Sequence, residues 1–126
     1  MNHSINQGVD IIELVEAEFS RATYVQLKEA LGEFLVTPFL QMRTWEYSSF
    51  FRRKKFPCWI IADFQKDDLG LAFSEFGHGS YGNRWGLVYL SDNYFGSDDR
   101  WFLYLEDAFI NSGFYEGTLP ADYEIR

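Results

Sequence analysis

The chain has 126 residues, which suits one compact domain spanning 1–126. Its 11 Lys and Arg stand against 19 Asp and Glu, a formal charge of −8, which argues against direct contact with nucleic acid or an anionic membrane surface, since both carry the same sign. A single cysteine excludes an internal disulfide, and an aromatic share of 20% exceeds what a core of this size needs, so some rings are expected at an interface.

Helical periodicity comes first along the chain. Asp10 and Glu13 fit a capping box, and Ile11, Ile12, Val15 and Phe19 mark one face, which predicts a helix over 10–20. Thr23 with Gln26 offers a second start. Leu27, Ala30, Leu31, Phe34 and Leu35 follow as a stripe, Gly32 weakens the run, and Pro38 ends it, so a helix over 24–36 is predicted. Residues 39–48 read as a strand with Leu40, Met42 and Thr44 on one face and Phe39, Arg43, Trp45 and Tyr47 on the other. The basic cluster Arg52-Arg53-Lys54-Lys55 precedes an almost continuous apolar run, Cys58 to Phe64, expected to be a central strand. Lys66 to Gly70 turns the chain, so 58–64 and 70–76 form a predicted hairpin. Gly77 to Gly82 is a loop, and Trp85 to Leu90 a further strand.

A third helix over about 98–112 is predicted from Trp101, Phe102, Leu105, Ala108 and Phe109, with Ser97 or Asp98 as cap and Gly113 as terminator. The tail from Phe114 is expected to be irregular or a short edge strand. The order predicts an α+β domain of two N-terminal helices, a four-stranded antiparallel sheet and a third helix near the C-terminus. Its expected core contains Leu31, Phe34, Trp59, Ile61, Phe73, Leu87, Trp101, Leu105 and Phe109. No basic region followed by an apolar stretch opens the sequence, and no apolar run approaches a membrane span, so a soluble cytoplasmic protein is expected.

The catalytic inventory is thin. Cys58 as nucleophile would need His78 as base and a carboxylate such as Asp63 to orient the ring, but a lone cysteine on a central strand is expected to be buried and inert. His78 lies between two glycines, yet the segment lacks the Gly-Lys-Ser/Thr of a phosphate loop. Two histidines and one cysteine do not make a typical zinc site, and Asp92 to Asp99 lacks the alternating spacing of a calcium loop. Glu106 and Asp107 are adjacent on the predicted helix and are expected on a solvated face. No catalytic residue, metal or cofactor is therefore assigned. The alternative is a small enzyme or ligand-binding domain using His78 and nearby carboxylates.

Charge is unevenly spread. From Tyr89 onward eight acids face two arginines, a local charge of −6, with tyrosines among them. Carboxylates mixed with tyrosines suit either an ordinary acidic surface or one that captures a basic protein. The binding reading selects Asp92, Tyr94, Asp98, Asp99, Tyr115 and Glu116, with Tyr81 and Asp122 as secondary choices.

Three stretches, Phe56 to Phe64, Arg84 to Asp92 and Asp98 to Phe109, resemble small bacterial immunity proteins of polymorphic and contact-dependent growth-inhibition toxin systems. The resemblance covers about half of the chain and carries no catalytic motif. It implies a cytoplasmic, non-enzymatic protein that binds and neutralises one cognate toxin domain, commonly a basic nuclease. It transfers no contact residues, so the selected positions rest on charge and aromatic content alone.

Overall fold

The computed structural model describes residues 7–21, 25–45, 54–78, 82–117 and 119. Three helices, α1 (Gln7–Arg21), α2 (Val25–Gly32) and α3 (Leu105–Asn111), accompany five strands, β1 (Leu35–Thr44), β2 (Lys55–Asp63), β3 (Leu69–His78), β4 (Asn83–Tyr89) and β5 (Trp101–Phe102). The strands form one antiparallel sheet in chain order. The α+β class stands, with five strands in place of the expected four.

The first two helices differ in extent from the sequence reading. α1 begins at Gln7, so Asp10 lies inside it. A capping box is a local signal and does not compel a boundary where the preceding residues also accept helical geometry. α2 stops at Gly32, four residues short of the expected end, and closes with tight bonds from Glu33 N to Ala30 O (3.3 Å) and from Phe34 N to Leu31 O (2.9 Å). Glycine disfavours a helix interior, and the β-branched pair Val36-Thr37 then extends the chain.

Pro38 therefore lies within a strand. β1 is an edge strand, and its register slips between Leu35 and Phe39, where it advances four residues against two on β2. A proline that cannot donate to the ladder is tolerated at such an irregular edge. The strand runs over Leu35–Thr44 in place of the expected 39–48; on it Phe39, Leu40 and Met42 are exposed, whereas Arg43 is completely buried.

The hairpin of β2 and β3 is present, with Trp59 opposite Phe73 and Cys58 opposite Ser74. Trp59, Ile61, Leu71, Phe73, Trp85 and Leu87 face the helices and pack with Ile11, Val15, Leu27, Leu31, Leu105, Ala108 and Phe109. All the expected core residues are buried except Phe34, which is half-buried against this cluster.

A second apolar cluster, Cys58, Ile60, Ala72, Val88, Phe95 and Trp101, is separate from the helix-side core. The connection between β4 and β5 supplies its Phe95. This connection also bonds to the outer edge of β1, from Thr44 N to Asn93 O (2.7 Å) and from Phe95 N to Thr44 O (3.2 Å). The sheet thus curls until its first strand meets the segment that leads into its last.

The predicted helix over 98–112 divides into three. Asp98–Arg100 is one 3-10 turn, Trp101 and Phe102 form β5, and only Leu105–Asn111 is α-helical. The cause lies across the sheet at Gly86, the partner of Trp101. A Cβ there would stand 2.3 Å from the Trp101 indole, so the bare backbone of Gly86 is what lets the ring lie on it. The indole Nε1 also donates to Phe95 O at 2.9 Å. These tertiary contacts override the local helical spacing. At the start of α3, Glu18 of α1 accepts from Leu105 N at 3.0 Å, a carboxylate at the positive end of the helix. Glu106 and Asp107 are buried in the first turn of α3, contrary to the solvated face expected for them, because this short helix packs with both residues turned into the protein.

Candidate functional site

The acidic, aromatic connection between β4 and β5 is built around Arg43. This side chain has no solvent exposure. Its Nη1 donates to Asp92 Oδ1 (3.2 Å) and Tyr94 O (2.7 Å), and its Nη2 donates to Tyr89 O (3.1 Å) and to Gln41 Oε1. Gln41 Nε2 reaches Leu90 O at 3.5 Å, and Asp92 Oδ1 also accepts from Tyr94 N at 3.1 Å. A guanidinium suits this position because its planar fork can serve several acceptors at fixed angles. Two side chains of an edge strand thereby fix residues 89–94 of a loop.

His78 at the end of β3 holds the next residues. Its ring stacks on Phe95 at 4.8 Å and 8°, with Trp45 and Trp101 at 5.4 and 5.3 Å. Its Nε2 lies 3.0 Å from Gly96 O and 3.8 Å from Asp98 Oδ1. Gly96 has φ +83°, a left-handed conformation that permits the chain to turn there.

On this frame Asp92, Tyr94 and Asp99 line one groove of about 370 Å3, together with Ser97 and Arg100. Tyr94 is 49% exposed, and the Asp92 side chain 39%, its carboxylate being partly engaged by Arg43. Asp98 is exposed on the adjoining 3-10 turn, and Asp99 accepts from Ser97 Oγ. Tyr115 and Glu116 lie elsewhere. They line a groove of about 570 Å3 beside α2, with Glu29 and Glu33. Tyr81 and Asp122 fall outside the described residues. The selected positions thus divide between two surfaces.

Cys58 does not form a nucleophilic site with Asp63. The two are five residues apart on one strand, roughly 16 Å at strand rise, and Asp63 Oδ1 accepts from Gln65 N at 2.8 Å. Cys58 has no exposure, and burial pushes its thiol up from 9.0 to about 12, the Arg43 charge pulling more weakly the other way. Among the described residues no group of three or more His, Cys, Asp and Glu side chains is placed to hold a metal ion, and no helix is long and apolar enough to cross a membrane.

The sequence reading missed Arg43 as the organiser of the site. Its only signal was an arginine inside an otherwise uncharged strand segment, Leu35 to Thr44. Comparison with protein families, curated proteins and solved structures finds no match to the chain.

Proposed function

We propose that the protein is a non-enzymatic immunity protein that binds and neutralises a cognate bacterial toxin domain, a basic nuclease, in the cytoplasm. One observation supports this reading: a completely buried guanidinium bonds the segment that carries Tyr94, and His78 reaches Gly96 and Asp98 beyond it, so the exposed acids and tyrosine stand on an internally bonded frame. Preorganisation of this kind lowers the entropic cost of association. A nuclease must offer a positive surface to phosphates, and an acidic surface competes for the same region. The carboxylates would speed encounter, and exposed Tyr94 would supply the anchor that slows dissociation. Asp92 contributes chiefly by joining Arg43 to the loop.

Co-expression with a basic nuclease domain from the neighbouring open reading frame tests the reading, and a neighbouring frame without a toxin domain counts against it. Rescue of growth together with a stable complex at low salt is the expected result. A well-folded protein that gives neither rescue nor complex contradicts it for that pair.

A further inference from the structure

The groove beside α2 has a different construction. Phe34, Phe114 and Tyr115 are half-buried in it, and Glu29, Glu33 and Glu116 stand exposed around them. Glu29 lies on α2 and Glu33 one residue past its end, and both line the groove. None of the three carboxylates forms an ion pair with a described residue. They are not grouped as a metal site among the described residues.

The aromatic part is held firmly. Phe114 stacks on buried Phe64 at 4.8 Å and 5°, Phe34 meets Phe64 edge-on at 5.1 Å and 62°, and Tyr115 packs on Phe109 at 5.7 Å. Tyr115 also folds back over Gly117. A Cβ at Gly117 would lie 2.3 Å from the tyrosine hydroxyl, so the ring position depends on that glycine.

We propose that this groove takes an arginine-bearing segment of the same basic partner, with a guanidinium against the aromatic surface and among the carboxylates of Glu29, Glu33 and Glu116. Charge complementarity sets the sign of the occupant. The rings select arginine over lysine, because a planar, weakly hydrated guanidinium stacks on aromatic faces and pairs with carboxylates in a fork, whereas an ammonium offers a compact, strongly hydrated charge. At about 570 Å3 the groove has room for more than one side chain, so a segment and not a lone arginine fits it. The proposal rests on the immunity reading for the identity of the partner and adds a second foothold to it.

The test titrates the full-length, isotope-labelled protein with a synthetic peptide of alternating arginine and leucine, then with its lysine and leucine counterpart, following backbone amide signals. Arginine-peptide shifts should cluster at Glu29, Glu33 and Phe114 to Gly117, with the lysine peptide binding about threefold to tenfold more weakly. Glu29→Gln with Glu33→Gln should reduce affinity, and so should Gly117→Ala, which displaces the tyrosine ring without changing any charge. Glu116→Gln, at an exposed position, provides a further variant if Gly117→Ala does not fold. Shifts confined to Asp92 to Arg100, shifts spread evenly over all acids, or equal binding of the two peptides would overturn the proposal. Concentration-dependent self-association that Glu29→Gln abolishes would also overturn it, by assigning the groove to a second copy. Peptide binding here without a toxin complex would keep the groove and reject the immunity reading. A toxin complex that leaves these amides unshifted would do the reverse.

Discussion

Two surfaces of this protein carry the same residue types on opposite foundations. The β4–β5 connection is held by a buried cation whose nitrogens reach one carboxylate, one side-chain amide and two backbone carbonyls. The groove beside α2 is held by stacked rings around Phe64. Hydrogen bonds fix direction, and the loss of one partner strands the others without water. Ring packing is less directional and responds to lost volume. Similar surface composition therefore conceals different vulnerabilities, and substitutions beneath each surface should separate them.

The largest expected effect is at Phe64, which is 3% exposed and touched by Phe34, Phe109 and Phe114. Phe64→Ala should cost about 3–5 kcal/mol in denaturant unfolding. It should disturb the amides of Phe114 to Gly117 while leaving those of Thr44 and Phe95 in place. A loss below about 1 kcal/mol would show that the rings do not support the α2 groove.

Arg43→Met keeps the unbranched stem of the side chain and removes the guanidinium with its donors. It should cost about 2–4 kcal/mol and speed hydrogen exchange at Thr44 and Phe95, with the α2 groove unchanged. Arg43→Lys should rescue only part of this, because an ammonium has three donors and no planar fork. Unaltered exchange at Thr44 and Phe95 would remove the guanidinium from its assigned role.

Cys58→Ala should cost about 1 kcal/mol near neutral pH. The folded thiol keeps its proton to about 12, while the unfolded thiol releases it near 9.0. Between those values the unfolded chain binds fewer protons, so the thiol's contribution is intact below pH 9 and is lost as pH rises to 12. The stability difference between wild type and Cys58→Ala, measured by unfolding from pH 8 to 11, should fall accordingly. A pH-independent difference would contradict the burial effect.

Much of the fold was legible because its signals were local. The unbroken apolar run Cys58 to Phe64, the polar turn after it and the return at Leu71 to Phe76 specify a hairpin without outside help. What was misread depended on contacts distant in sequence. Trp101 has helical spacing to Leu105, yet it is held as a strand by the missing side chain of Gly86. Glu106 and Asp107 are polar residues that packing buries. Pro38 ends α2 in the sequence reading, whereas the chain leaves the helix at Gly32 and reaches proline within an irregular edge strand. The candidate site was legible only as composition: the acids and tyrosines after Tyr89 could be counted, but their division between two grooves follows from tertiary structure. Arg43 is 49 residues from Asp92, and no local pattern connects them.

Association kinetics with the proposed partner, a basic nuclease domain, test the central claim most directly, at two salt concentrations and with substitutions on the β4–β5 connection. Asp98→Lys with Asp99→Lys reverses two exposed charges and also removes the contacts to His78 and Ser97, so it should cost about 1 kcal/mol, and unfolding is measured alongside binding. It should slow association at low salt by about tenfold or more and flatten the salt dependence, whereas Tyr94→Ala should leave the association rate nearly unchanged and speed dissociation. Rapid, salt-insensitive association that neither substitution alters would contradict the assignment of this surface to the toxin.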